Sequence, residues 1–338
     1  MLSQALIQNR MSAFLWMEKW IEIPYHNHIH TGMEESMPES FPKRSYWKEA
    51  NRVPGFPLAE KIHGYVYLRF PYLYIGTGIG STWLSKILNV VLPVWNRLFP
   101  AKPRSPDAIE FADTYHGKVV PLQTARELVT VKRDIAVPDL EHVIPYKLAR
   151  SLILEHPDHI AVLDCPCRAA REHPCLPLDV CLIVGEPFAS FVLQYHADKS
   201  RAITPAEACA ILEAEEQRGH VHHAFFKEAV FERFYAICNC CSCCCGAMDA
   251  HFHGTPMLAS SGYLSQVDED LCIGCAECVD FCQFGAITMM DELNHVDTAK
   301  CMGCGVCTSH CPQGAISLVL APEKGVPLEM SKILEGEE

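Results

Sequence analysis

The chain has no cysteine before Cys165. It has no run of about 20 apolar residues, so no segment reads as a membrane-spanning helix. It lacks a basic stripe: 28 Lys and Arg stand against 41 Asp and Glu, a formal net charge of −13. That balance excludes a nucleic-acid partner and favours docking on a basic patch of another protein. The opening stretch MLSQALIQNRMSAFLWMEKW has no basic start, clean apolar run or small-residue cleavage site, and is not read as a signal peptide. No Ser-His-Asp set, carboxylate pair or phosphate loop stands out. GTGIGS places glycines at 76, 78 and 80, which is not the dinucleotide-binding spacing.

What is present is cysteine: 19 of them, all from Cys165 onward. In a chain without an export signal, such density points to metal rather than disulfides, and to a cytoplasm kept low in oxygen. CIGCAECVDFCQFGAIT begins at Cys272 and CMGCGVCTSHCPQGAIS at Cys301, each cysteine recurring 29 residues later. Both copies read C-x2-C-x2-C-x3-C, the bacterial iron–sulfur run in which the fourth cysteine serves the other cluster. Three thiolates two residues apart can wrap one face of a cube if the backbone turns tightly, and Gly274, Gly303 and Gly305 permit this. Zinc ribbons also use C-x2-C pairs, but two tandem four-cysteine runs with a shared Gly-Ala-Ile tail argue against zinc.

The segment from about 266 to 321 closely resembles the bacterial-type ferredoxin with two [4Fe–4S] clusters. The resemblance implies that Cys272, Cys275, Cys278 and Cys311 hold one cluster. It implies that Cys301, Cys304, Cys307 and Cys282 hold the other. One departure is Gln283, which follows Cys282 where the family has proline, so hydrogen bonding near one cube should differ and the two potentials with it.

Upstream, LDCPCRAAREHPCLPLDVC supplies Cys165, Cys167, Cys175 and Cys181, and CNCCSCCCG supplies Cys238, Cys240, Cys241, Cys243, Cys244 and Cys245. Neighbouring cysteines rarely meet disulfide geometry. These ten are candidate metal ligands, for one or two further iron–sulfur clusters, with structural zinc or a thiolate-bridged metal cluster as alternatives. Arg168 and Arg171 can counter thiolate charge. HIAVL (159–163) reads as a buried strand, and TPAEACAILEAEEQRG as a helix with Thr204 at its N-cap and Gly219 past its end. Cys209 reads as a small core residue. A helical hairpin is expected to bring the two cysteine loops together. The combination of CPCR, paired cysteines and CNCCSCCC before a ferredoxin module resembles uncharacterised iron–sulfur proteins of anaerobic bacteria and archaea, over about 116–314.

Elsewhere, GYVYLRFPYLYIG (64–76) reads as extended, 113–131 as strand then helix, and 143–157 as a helix ending at Pro157. Residues 81–99 form an amphipathic helix candidate, with Leu84, Leu88, Val91, Trp95 and Leu98 on one face, suited to core packing or to a membrane surface. His26, His28 and His30 are read as a loop with metal binding as the alternative. His220, His222, His223, His251 and His253 flank the cysteines and are read as neutral residues before ligands. The acidic tail is expected to stay loose or to dock on a partner. The fold class is α+β, with mixed N-terminal and middle regions and a C-terminal ferredoxin-like two-cluster module. The expected units are 1–105 (aromatic-rich), 106–262 (cysteine-rich), 263–322 (ferredoxin) and 323–338 (acidic tail). The function this implies is single-electron transfer with a redox partner protein, an oxidoreductase; the alternative is a reductase with a substrate-binding metal centre in the middle domain.

Overall fold

A computed structural model describes residues 41–98, 108–290 and 293–335. Helices and strands mix throughout, an α+β architecture. A sheet of β1 (Tyr115–Val120), β2 (Ile135–Val137), β3 (Leu152–Asp164), β4 (Asp179–Glu186), β5 (Ser200–Ile203), β6 (Val221–Lys227), β7 (Arg233–Cys240) and β8 (Leu258–Ala259) organises the middle of the chain. Its order is β2-β3-β4-β7-β6-β1-β8, with β5 also paired to β3. Every pairing is antiparallel except that of β1 with β8.

Alternation along each strand sends successive side chains to opposite faces. Cys181 and Ile183 of β4, with Tyr235 and Cys240 of β7, enter one core, and Leu182, Val184, Phe234 and Ile237 enter the other. Helices Tyr46–Arg52, Leu58–Arg69, Pro71–Ile79 and Phe188–Tyr195 cover the first face. Helices Leu122–Thr130 and Pro205–Gln217 cover the second. Thr204 caps the latter helix, its hydroxyl accepting from the Glu207 N–H, and Cys209 packs on the core as expected.

Three expectations from sequence are corrected. The stretch 64–76 is helical on both sides of Phe70: Tyr67 and Tyr74 are buried, with Tyr67 set edge-on against Tyr235 of the sheet, while Phe70 between the helices is exposed. Residues 143–151 form turns and 152–157 begin β3, so the helix expected over 143–157 is absent. Between the two cysteine loops, His220 is followed by the β6–β7 hairpin, so a β-hairpin and one helix replace the helical hairpin. The tail segment is not loose over its described part: Leu328 and Met330 are buried in the second core and Lys118 Nζ donates to Val326 O at 2.7 Å.

The helix Trp83–Leu98 forms as expected; among its described side chains only Ser85 and Leu88 are buried, Trp83, Ile87, Val90, Val91 and Val94 stay exposed, and those of Trp95 and Leu98 lie outside the described residues. Among the described residues no helix is long and apolar enough to cross a membrane. His26, His28 and His30 lie outside the described residues.

Close packing of the first helical layer rests on Gly64. A Cβ there would meet Ala229 O at 1.9 Å and Tyr46 Oη at 2.3 Å. Gly64→Ala is expected to lower stability by about 1–3 kcal/mol through overpacking, read as a shifted urea midpoint at unchanged slope.

Candidate metal centres

The C-terminal module is built twice on one plan. β9 (Tyr263–Val267) pairs with β12 (Ile316–Leu320), and β10 (Ile287–Met290) with β11 (Leu293–Val296), all antiparallel. The outer pair therefore joins the entry of the first repeat to the exit of the second. Asp268 N donates to Ala315 O at 2.8 Å, and its counterpart Asp297 N donates to Ala286 O at 2.7 Å. These crossed bonds carry each fourth cysteine to the opposite repeat. Cys272, Cys275, Cys278 and Cys311 line one cavity of about 350 Å³. Cys304 and Cys307 lie in the electrostatic field of Cys282, and Cys307 in that of Cys301.

Each third cysteine has a polar neighbour at equivalent places in the repeat. Asn294 Nδ2 donates to Cys278 Sγ at 2.9 Å, and Ser265 Oγ lies 3.1 Å from Cys307 Sγ. Backbone N–H groups add to this: Ala286 N donates to Cys282 Sγ and Ala315 N to Cys311 Sγ, both at 3.2 Å. Burial pushes the Cys307 thiol up to about 11, with the Ser265 bond opposing. Burial likewise holds Cys304 well above the ordinary thiol range. A positively charged metal centre reverses that cost, since it binds the thiolate. Four thiols around each position, with donors aimed at sulfur, fit a cubane. Sequence reading missed Ser265 and Asn294, although their 29-residue offset matches the cysteine repeat.

Gln283 shows what replaces the family's proline. Its Oε1 accepts from Ser242 N at 2.8 Å and Ser242 Oγ at 2.9 Å. Ser242 sits inside CNCCSCCCG, so the module is clamped to the middle cysteine loop. Further seams join Ser309 to Glu216 and His310 to the Gln217 carbonyl, with Phe281 packed on Gly219. Cys282 and Cys304 thus face inward, while Cys275 is exposed beside Ile273, itself 65% exposed.

The ten middle cysteines converge at one end of the sheet because β3 and β7 end there and β4 begins there. They separate into two groups. Cys175, Cys241, Cys243 and Cys244 have all four Sγ atoms within 4.8 Å of one another. Cys175 Sγ lies 3.1 Å from Cys243 Sγ and 3.7 Å from Cys241 Sγ. Burial and the Cys243 thiol push Cys175 up to about 12. Cys243 itself is lowered: burial acts upward, but hydrogen bonds from Cys175, Cys241 and Cys244 outweigh it.

The other six surround a buried chamber. Cys165, Cys167, Cys238, Cys240 and Cys245 line a cavity of about 350 Å³, whose wall Cys241 and Cys244 of the first group also share. Cys181, on β4 opposite Cys238, joins them with its Sγ 3.7 Å from Cys238 Sγ. The Cys167 thiol and then burial raise Cys165 well above the ordinary range.

Arg168, 1% exposed, lies between the groups, felt by both Cys165 and Cys241. It donates to Pro177 O at 2.6 Å and Asn239 O at 3.0 Å and pairs with the buried Glu215. Burial alone would raise Glu215; His220 and Arg168 overcome this and hold its carboxyl below the usual range. Arg171 Nε donates to Cys244 O at 3.0 Å. None of the five flanking histidines joins either thiol group. His220 bonds Glu215, His222 bonds Asn239, and His253 bonds the Asp249 carbonyl.

A group not anticipated from sequence is His156, Asp158 and His159. A bulge in β3, with His156 at φ 47°, brings side chains together that strand alternation would separate.

Residues 265–318 match the family model described as a 4Fe-4S dicluster domain. No curated protein and no solved structure matches the chain. The match and the cysteine geometry make this an iron–sulfur protein, whose dicluster segment lies at the C-terminal end of the described body.

Proposed function

We propose that the chain is an electron-transfer protein of the two-cluster ferredoxin type, extended by additional metal in its middle region. In this reading Cys272, Cys275, Cys278 and Cys311 hold one [4Fe–4S] cluster, and Cys301, Cys304, Cys307 and Cys282 hold the second. The observation that carries it is the single cavity on which Cys311, from the second repeat, meets three cysteines of the first. These four thiolates would hold a cube with no iron left open to substrate, and the chemistry it would supply is single-electron transfer. Asn294 at this site and Ser265 at the second would stabilise added negative charge by donating toward Cys278 and Cys307.

Exposure assigns the two sets different roles. Cys275, Ile273 and Leu271 form an outer apolar rim, suited to a redox partner protein, an oxidoreductase. The acidic net charge favours a partner with a basic docking patch. Cys282 and Cys304 abut the middle region, which supports it as the inner terminus of the path.

In the middle region we assign Cys175, Cys241, Cys243 and Cys244 to a single tetrahedral ion. Bonds of about 2.3 Å to four thiolates place sulfurs roughly 3.8 Å apart, close to the spacing present. The wider chamber of Cys165, Cys167, Cys181, Cys238, Cys240 and Cys245 suits a further iron–sulfur cluster. The second reading, a reductase whose inner centre meets a substrate, needs only three of these six thiols on a cluster and is supported by an adjoining cavity that reaches Cys167. The exposed apolar face of Trp83–Leu98 supports contact with a membrane surface from the cytoplasm.

Iron and acid-labile sulfide, measured on protein prepared without oxygen, test the assignment. About twelve or more irons per chain are expected; about eight would confine iron to the dicluster module, and zinc at the repeat cysteines would overturn the proposal. A finer check is Asn294→Leu. Losing a donor to Cys278 should make one centre harder to reduce by roughly 60 mV, the one-electron equivalent of about 1.4 kcal/mol, in a potentiometric titration followed by EPR.

A further inference from the structure

A second cavity, of about 510 Å³, adjoins the thiol chamber and shares Tyr115, Cys167 and Ala247 with it. Its remaining walls include Tyr67, Tyr74, Ile79 and Met257. Helix Pro71–Ile79 forms one side and helix Gly246–Phe252, which starts directly after Cys245, forms another. Its lining is largely apolar with a few polar groups, the pattern of a small-molecule site.

The lining defines the ligand. No Lys or Arg lines the cavity, and the one carboxylate on its walls, Asp249, lies 3.3 Å from His253 Nδ1, so nothing there neutralises a phosphate or carboxylate. Behind the rings, the Lys227 ammonium sits 4.7 Å from the Tyr67 ring, 4.8 Å from Tyr115 and 5.5 Å from Tyr74. A cationic guest would be repelled by that charge. Flat aromatic walls favour a planar guest. Tyr67 Oη lies 2.7 Å from Tyr235 Oη, and Tyr115 is within hydrogen-bonding reach of Tyr67. Two links among three phenols use two O–H protons; with Tyr235 donating to Tyr67, the third belongs to Tyr67 or Tyr115, both on the cavity wall. Tyr74 Oη is engaged by His63 Nε2 at 2.8 Å. Burial holds the Tyr115 and Tyr235 hydroxyls well above their ordinary range, so the donor stays protonated.

We infer that this cavity binds a small, uncharged, planar molecule with one hydrogen-bond acceptor, held against Cys167 at the edge of the buried thiol chamber. The inference deepens the second reading above and rests on metal being present in that chamber. It gives the inner end of the chain a substrate or effector site, which the dicluster module lacks.

The test uses full-length protein loaded without oxygen and 4-fluoroacetophenone as the probe, followed by ¹⁹F NMR and by EPR of the reduced protein. Saturable broadening of the probe line is expected, with no such effect for 4-fluorobenzoate or 4-fluorobenzylammonium. Ile79→Trp, which fills the cavity, should abolish the broadening at unchanged iron content. Tyr115→Phe should weaken it roughly tenfold. Saturation should also shift an EPR signal that is not one of the two dicluster signals. Absence of saturable broadening at millimolar probe, equal binding of the benzoate, or full binding in both variants would overturn the site. Saturation without any EPR change would overturn its placement against the metal. An iron count of about eight would instead sink the metal in the chamber, while the ¹⁹F result still decides whether the cavity binds.

Discussion

Cys272→Ser combined with Cys311→Ser is expected to lose about four irons per chain, no more than either substitution alone. Cys272→Ser combined with Cys282→Ser is expected to lose about eight, although these two cysteines lie in the same sequence run. The reason is topological. The β9–β12 pair and the crossed bonds from Asp268 and Asp297 place Cys311 with the first run and Cys282 with the second. Local ligation, each run holding its own cube, predicts the opposite pattern. Iron, labile sulfide and spin quantitation on the two double variants separate the cases. If the pair Cys272 and Cys282 cost one cube and the pair Cys272 and Cys311 cost both, the interleaved arrangement would be wrong.

Glu215→Leu should destabilise the protein by about 3–5 kcal/mol, because it strands a guanidinium that is almost wholly removed from water. Arg168 would keep the Pro177 and Asn239 carbonyls but lose its counter-charge, and His220 and Arg218 would lose an acceptor too. Adding Arg168→Met should recover much of the loss, since a buried pair replaced by apolar groups of similar size is often neutral. The measurement is a double-mutant cycle in denaturant on metal-loaded protein. A single-variant cost under about 1 kcal/mol would mean that Glu215 is not what balances Arg168.

The repeat was the most legible part of the chain. A fixed 29-residue offset with matching glycines leaves few foldings, and the family match over 265–318 falls on the same stretch. The strand at 159–163 and the capped helix from Pro205 were also readable, because periodicity and capping are local signals. The stretch 64–76 misled because aromatic density favours strands until tertiary packing decides otherwise, here by setting Tyr67 edge-on against Tyr235 of the sheet and against Tyr74. Residues 152–157 misled because Pro157 sits beside a bulge in a strand whose β-branched residues are few. The ten middle cysteines were visible as a set, but not their division into four and six. That division depends on which sheet face Cys181, Cys238 and Cys240 take, a long-range consequence of the β4–β7 register.

Zipping β9 to β12 also imposes an order on biogenesis. During synthesis Cys272, Cys275 and Cys278 leave the ribosome well before Cys311, and the strand that delivers Cys311 is the last of the sheet elements to emerge. Under the proposed ligation, the nascent chain would carry three thiols of the first set without their fourth companion, so insertion of that cube would wait for the closing strand, while the second set would be complete once Cys307 had emerged.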